Sequence, residues 1–343
     1  MSSTFRHISE TEQHATINHE LETFALDVLV GLSEYPKKLS SRYFYDDVGS
    51  QVFQKIMDLP EYYLTDCEFD ILSRQQDAFA DLVKKESFNL VELGAGDGRK
   101  TSLLLQKFLH ENLDFRYIPI DISEGAMRTL TRNLEKEMPS LRTEGIIAEY
   151  FQGLQWLQMH SDRRNMVLFL GSNLGNFDKT HAKHFLRHMW NTLNDGDYAV
   201  IGFDLKKDID LMMRAYNDSQ GVTAAFNLNV LRRINKELGG TFDLDKFRHY
   251  ATYDVFSGAM ESYLVSQQRQ DVFIKRIGAS FSFNAWEPIH TEYSYKYLVS
   301  DIEELATGTG YEIVNQLYDT KRYFVDSIWR VRKEEAAQID FKS

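Results

Sequence analysis

Among 343 residues there is one cysteine, Cys67, and there are only five prolines. A single thiol excludes an intramolecular disulfide and a cysteine-based metal cluster, and it suits a reducing compartment, so Cys67 reads as a packed thiol rather than a nucleophile. Basic residues are in deficit: 39 Lys and Arg face 51 Asp and Glu, for a formal net charge of -12. That argues against a phosphate backbone as the main partner, because nucleic-acid binders carry a basic excess or stripe. No apolar run approaches the roughly 18 residues that a bilayer span needs. The opening MSSTFRHISETEQHATINHE is polar and lacks the apolar core of a signal peptide. The expectation is a cytoplasmic protein with no nucleic-acid and no membrane partner. Repeats and low-complexity tracts are also lacking. With 43% apolar and 13% aromatic residues, the chain is long enough for one large or two modest domains with a sizeable core.

What the chain does have is FNLVELGAGDGRKTSLLLQKF, residues 88–108. The apolar run Leu90-Val91-Glu92-Leu93 leads into Gly94-Ala95-Gly96-Asp97-Gly98, and Leu103, Leu104, Leu105 and Phe108 resume at helical spacing. The stretch reads as strand, tight turn and helix, the first half of a nucleotide-binding βαβ unit. A dinucleotide fold wants G-x-G-x-x-G under its pyrophosphate, whereas the pattern here is E-x-G-x-G-x-G, and no Walker-type phosphate seat is present. It resembles motif I of the S-adenosylmethionine-dependent methyltransferases, whose ligand carries a sulfonium and an amino acid tail instead of phosphates. The run Tyr117-Ile118-Pro119-Ile120-Asp121 ends in an acid 23 residues after Gly98, where a carboxylate can hold both ribose hydroxyls. A methyltransferase is favoured, with a dinucleotide enzyme as the alternative at this point.

The rest of the chain is organised around that turn. Residues 1–13 are expected to be a flexible tail, followed by a helix over 14–32 in which Ile17, Leu21, Phe24, Ala25, Val28 and Leu32 recur at helical spacing. Gly49-Ser50 opens a short helix ending before Pro60, and Thr65 with Glu68 has the spacing of a capping box. Tyr43, Tyr45, Tyr62 and Tyr63 flank that first helix beside Asp46, Asp47 and Glu61, which suits a polar pocket more than a core. Strands are predicted at 89–93, 115–120, 145–150, 166–170 and 198–204, alternating with helices. Ligands bind such sheets at the carboxyl ends of the strands, which gives weight to residues 94–98, Asp121, 149–151, 171–176 and Asp204. FLGSNLGNF, with its glycines and asparagines, offers close backbone approach and neutral amides. His181, His184 and His188 share one side of a helix, but no general-base Glu lies between them and no further ligand converges, so a helix face is favoured and no metal is expected. After residue 206 the alternation breaks down. A helix over 223–238 and strands at 250–255, 260–266 and 271–277 read as an insertion before the last strands. The sheet resumes with a helix near 301–305, capped by Ser300 and Glu303 and ended by Gly308 and Gly310. A hairpin of 311–318 and 323–331 closes it.

RYFYDDVGSQVFQKIMDLPEYYLT, VELGAGDGRKT, IPIDIS, FLGSNLGNF, GFDLKKD, AYNDSQGVTAAFNLNVLRRINKELG and HTEYSYKY together resemble the histidine-specific methyltransferase family. Its best-known activity is formation of hercynine, the trimethylated histidine of ergothioneine biosynthesis. The likeness runs from about residue 35 to 331. It implies an α/β fold, a Rossmann-like class I methyltransferase sheet (67–206 plus 296–331), with an inserted α+β substrate-binding domain (14–66 plus 207–295) and a tail at 332–343. It also implies S-adenosyl-L-methionine as cofactor and a small-molecule amino acid as substrate; a monomer is expected. By matching motifs, the cofactor would be held by Gly94 and Gly96 at the turn, Lys100 on the tail carboxylate, Asp121 on the ribose, and Glu149 and Tyr150 at the adenine edge, where the family tends to have Asp then Phe. Tyr62, Asn176 and Tyr216 would hold the substrate's carboxylate and amine. Tyr45, Glu292 and Ser294 would face the imidazole, while Phe53, Gly171, Asn173 and Thr223 would line the amino nitrogen; Asn173 stands where the family commonly has Thr. Ser262 replaces a methionine that the family places against the substrate ring.

The implied reaction is direct methyl transfer to an α-amino nitrogen, with Asn176 and Tyr216 orienting a neutral amine and the ring faces of Phe53 and Tyr62 accepting the growing cation. Two alternatives stay open. One is a related enzyme acting on tryptophan or a derivative, which Ser262 would suit and Glu292 would oppose. The other is a non-catalytic sensor of S-adenosylmethionine or a betaine.

Overall fold

Every side chain of Phe88–Leu93 is buried, which requires a central strand covered on both faces. The computed structural model describes residues 4–7 and 13–333. In chain order its strands are β1 (Thr4–His7), β2 (Lys37–Lys38), β3 (Phe88–Leu93), β4 (Phe115–Asp121), β5 (Glu144–Ile147), β6 (Arg164–Phe169) and β7 (Tyr198–Asp204). Then come β8 (Phe247–Asp254), β9 (Ala259–Ser266), β10 (Gln270–Ile274), β11 (Ala279–Phe283), β12 (Pro288–Tyr295), β13 (Tyr311–Tyr318) and β14 (Phe324–Val331). The helices are α1 (Gln13–Ser33), α2 (Asp47–Met57), α3 (Tyr63–Arg74), α4 (Gln76–Val83), α5 (Ser102–His110) and α6 (Glu124–Glu137). They continue with α7 (Tyr150–His160), α8 (Lys179–Thr192), α9 (Ile209–Tyr216), α10 (Val222–Leu238) and α11 (Val299–Thr309). The chain divides into two units, one of residues 64–206 and 296–333 with β1, the other of residues 13–63 and 207–295.

The first unit is an eight-stranded sheet of order β1-β5-β4-β3-β6-β7-β14-β13. Strands β1 and β3 to β7 run parallel, and β14 pairs antiparallel with both β7 and β13. The strand order reverses between β3 and β6, so the loops after these two strands flank the crevice where such sheets bind ligands. The chain leaves this unit after β7 and returns beside its exit, with Tyr297 N donating to Asp204 O (3.0 Å) and Lys206 N to Tyr297 O (2.9 Å). Residues 207–295 thus lie between β7 and the last two strands of this sheet.

Three local expectations for this unit need correction. Residues 4–7 of the expected tail form β1, in register with β5 from Thr4↔Glu144 to His7↔Ile147; an edge strand exposes a row of unpaired amides and carbonyls, which β1 satisfies. The strand predicted at 145–150 stops at Ile147, and Tyr150 opens α7. Helix α11 is capped through Asp301, which accepts from Leu298 N at 2.8 Å, instead of through Ser300 and Glu303. Gly310, at φ 96°, ends that helix. Residues 334–343 of the expected C-terminal tail lie outside the described residues.

The second unit packs α1, α2 and α10 against a four-stranded sheet of order β2-β12-β9-β8 and a β10-β11 pair. Its core includes Phe24, Val28, Phe44, Phe226, Val230, Ile234, Leu264 and Ile289. Helix α2 starts earlier than Gly49: Asp46 is its cap, accepting from Gly49 N at 2.7 Å. Strands β11 and β12 were not expected, and β10 ends at Ile274 rather than 277 because Gly278 N turns back to Ile274 O (2.9 Å). Among the described residues, no helix is long and apolar enough to cross a membrane.

Candidate functional site

In the first unit the glycine turn takes backbone angles that side chains resist: φ is 73° at Gly94, 54° at Gly96 and 68° at Gly98. A Cβ on Gly94 would come within 2.8 Å of the Tyr150 hydroxyl, whereas one on Gly96 would meet nothing within 4 Å. The turn is therefore packed on one side and open on the other. Asp121, at the carboxyl end of β4, accepts from Ser123 N at 2.9 Å and from Gly96 N at 3.4 Å. Burial raises its pKa above the usual carboxylate range, against the backbone amides that lower it.

After β6, Gly171 (φ 75°) and Ser172 (φ 58°) make a left-handed pair, and Asn173–Asn176 forms one 3-10 turn. A Cβ on Gly171 would lie 3.7 Å from both the Asn173 amide nitrogen and Lys100 Nζ. The structure thus gathers Gly94, Lys100, Tyr150, Gly171 and Asn173, with half-buried Asn176 ending the turn. Glu149 is exposed at the head of α7. Tyr150 packs its ring on Phe169 (5.7 Å between centroids) and sets its hydroxyl against Gly94.

Beneath these loops lie charged groups whose partners the sequence did not reveal, Asp204 among them, which sequence reasoning weights as a strand-end ligand residue. Glu92 is buried, accepting from Thr101 Oγ1 at 2.5 Å and from the Tyr117 hydroxyl, and burial pushes its pKa up to about 7. It braces the turn from inside instead of facing a ligand. Glu68, expected to cap a helix with Thr65, is fully buried and pairs with Lys100; α3 begins at Tyr63, so Thr65 lies within its first turn. Asp204 and Lys296 form a wholly buried ion pair at 2.8 Å.

In the second unit Tyr45, Phe53 and Tyr62 surround Phe226 or one another. Ring centroids are 5.6 Å apart for Tyr45 and Phe53, 6.2 Å for Phe53 and Tyr62, and 5.4 Å for Tyr45 and Phe226. Phe226 was missed as a member of this group; its place on α10 three residues after Thr223 is the signal that could have found it. The other two tyrosines belong to the interior. Tyr43 donates to Asp27 Oδ2 at 2.6 Å and Tyr63 accepts from Lys207 Nζ at 3.1 Å.

A polar wall lies along β9 and β12. Tyr216 donates to Ser294 Oγ at 2.7 Å, and both are buried. Glu292 is the cross-strand partner of Ser262, beside a β-bulge. Thr291 Oγ1 bridges Asn227 Oδ1 and Ser262 O, both at 2.9 Å, and Asn227 in turn donates to Thr223 O at 3.1 Å. Helix α10 thus ties this wall to the aromatic group. Asp218 binds the amides of Val222 and Thr223 (2.9 and 2.7 Å), and Ser219 Oγ donates to Glu61 at 2.9 Å, joining the segment after Tyr216 to the one carrying Tyr62.

Two other hollows among the described residues contain none of these side chains. One of about 580 Å³, lined by Glu86, Arg116, Arg164 and Asp197 among others, lies at the amino ends of the strands, away from the loops at their carboxyl ends. His181, His184 and His188 are exposed on α8; His181 Nδ1 lies 2.7 Å from Asp178 Oδ2, and His188 stacks on Phe151.

The sequence model of a family described as "Histidine-specific methyltransferase, SAM-dependent" matches residues 24–331. The histidine N-alpha-methyltransferase of Mycolicibacterium smegmatis is 37% identical over 287 residues, spanning 83% of this chain and 88% of that protein. The protein of the same description from Mycobacterium tuberculosis is 32% identical over 295 residues, spanning 86% and 88%. Ergothioneine biosynthesis protein 1 of Schizosaccharomyces pombe is 28% identical over 291 residues, which are 82% of this chain and 37% of that one.

Proposed function

The chain belongs to the histidine-specific, S-adenosylmethionine-dependent methyltransferase family, and from that premise we propose that it methylates the α-amino nitrogen of free L-histidine, forming hercynine, the trimethyl product on the way to ergothioneine. The observation that carries the choice of histidine is the Glu292 carboxylate opposite Ser262 on the wall that holds Tyr216 and Ser294. An imidazole N–H wants such an acceptor, and an indole pocket would avoid the charge.

The residues of the first unit fit the cofactor. The Gly96 side of the turn is open, Asp121 stands at the carboxyl end of β4 where a ribose is held, and Lys100 supplies a cation for a carboxylate tail. Gly94, Gly96, Lys100, Asp121, Glu149 and Tyr150 are assigned to it. Bound S-adenosylmethionine supplies an electrophilic methyl group on a sulfonium.

The protein's own contribution is binding and alignment. Tyr62, Asn176 and Tyr216 hold the amino acid's carboxylate and amine. Tyr216, whose hydroxyl donates to Ser294, turns its oxygen to the amine, and Asn176 adds a neutral amide. Neither is a strong base; they orient a neutral amine whose lone pair attacks, and alignment carries the rate. Tyr45, Glu292 and Ser294 face the ring, with Ser262 enlarging that end, while Phe53, Gly171, Asn173 and Thr223 line the region of the amino nitrogen. Aromatic faces of Phe53 and Tyr62 stabilise the cation as methyl groups accumulate. The reading is of a cytoplasmic monomer, which the single cysteine suits.

The test is a mass-spectrometric assay of purified protein with S-adenosylmethionine and each common amino acid. Histidine gaining three methyl groups is the expected result. Inert histidine with reactive tryptophan would transfer the assignment to the related tryptophan enzymes and overturn the Glu292 argument; cofactor binding without any turnover would favour a sensor.

A further inference from the structure

Glu68 of α3 is fully buried, and its carboxylate is divided between two loops. Oε2 is paired with Lys100 Nζ in the loop after β3, and Oε1 accepts from Gly171 N at 2.7 Å in the loop after β6. Those loops flank the point where the strand order reverses. Oε1 also lies over Gly202 of β7, where a Cβ would come within 2.5 Å of it. The register partner of Gly202 is Asp326 on β14, which is wholly buried and whose carboxyl oxygens accept no hydrogen bond.

An ionised carboxylate in a dry interior demands donors. Asp326 has none, and burial followed by the neighbouring Glu68 charge raises its pKa well above the usual range, with Lys100 opposing. Held neutral, it can donate a hydrogen bond, and the neighbouring Glu68 carboxylate is the acceptor within its reach. The group then holds one cation, one anion and one neutral acid. An ammonium has three donors, so pairing with Glu68 fixes the Lys100 head while leaving donors for a second anion.

We propose that Glu68 is a positioning residue for the cofactor: it holds the Lys100 ammonium and the Gly171 amide in the arrangement that receives the carboxylate of the methionyl tail, with Asp326 as its neutral proton donor. The proposal rests on the assignment of Lys100 to that carboxylate.

Calorimetric titration of the purified full chain with S-adenosylhomocysteine, which carries the tail, and with 5′-methylthioadenosine, which lacks it, separates the two. Glu68→Gln is expected to raise the S-adenosylhomocysteine Kd about tenfold or more, the loss of a charge-assisted contact, and to leave 5′-methylthioadenosine within about twofold. Lys100→Met should weaken S-adenosylhomocysteine similarly, and the double variant should bind no worse than Lys100→Met alone, because Glu68 acts through the lysine. Asp326→Asn, which keeps a donor, should leave both ligands within about twofold. If Lys100→Met weakens S-adenosylhomocysteine but Glu68→Gln does not, the positioning role is refuted while the lysine assignment stands. Unchanged binding in Lys100→Met refutes the lysine assignment and the proposal with it. Loss of 5′-methylthioadenosine binding in Glu68→Gln makes the role structural and overturns the proposal; a tenfold loss in Asp326→Asn overturns the neutral donor.

Discussion

Replacing Glu92 with Gln should make the stability of the first unit less sensitive to pH, and by an amount the structure sets. The carboxyl is buried between Thr101 and Tyr117, and burial, partly offset by those two hydroxyls, lifts its pKa from 4.5 to about 7. A folded-state pKa above the unfolded one means that the folded protein binds this proton more tightly. Stability from this group is therefore full below pH 4.5, falls as pH rises through the interval, and is lost above about 7. At about 1.4 kcal/mol for each pH unit of that interval, the loss is about 3 kcal/mol, of which some 2–3 kcal/mol falls between pH 5 and 8.

Glutamine is nearly isosteric and uncharged, and its carbonyl can accept from either hydroxyl. The variant should gain about 2–3 kcal/mol relative to the parent on going from pH 5 to pH 8, whatever its standing at pH 5. Urea denaturation of both proteins, followed by tryptophan fluorescence, reads this directly, since Trp156, Trp190 and Trp329 lie in the first unit and only Trp286 in the second. All other groups titrate alike in the two proteins and cancel. A difference in stability that is flat across pH 5 to 8 would refute the reasoning, and one of opposite sign would mean that the two hydroxyls outweigh burial.

Tyr216→Phe removes the hydroxyl that spans Ser294 and the proposed amine; kcat/KM for histidine should fall about tenfold to a hundredfold with S-adenosylhomocysteine affinity unchanged, as steady-state kinetics and calorimetry will show. Glu292→Gln removes the anion proposed to face the imidazole, so the histidine KM should rise about tenfold, with a smaller change for any tryptophan turnover. Lys296→Met removes the cation paired with the buried Asp204 and should destabilise the first unit by about 3–5 kcal/mol in chemical denaturation, while the double variant with Asp204→Leu recovers much of the loss.

Strand β3, the glycine turn and Asp121 were legible in the sequence because their signals are local: a run of apolar residues, glycines where φ is positive, and an acid at a strand end. Strands β11 and β12 were not, since exposed and buried side chains alternate along β11 over only five residues and β12 takes its register from contact with β9, including a bulge that no local pattern announces. The same limit explains Thr65 and Glu68. Their spacing matches a capping box, a motif defined entirely by neighbours in the chain. The competing reading was also present: Leu64, Cys67, Glu68, Ile71 and Leu72 are buried at helical spacing on one face of α3, so the acid sits in the middle of an apolar stripe. A carboxylate in that setting must find donors or a counter-charge, because burying it alone is prohibitive. The stripe therefore announces that a partner exists. It cannot say that the partner is Lys100, 32 residues away, because their meeting depends on how α3 is laid against the carboxyl end of β3.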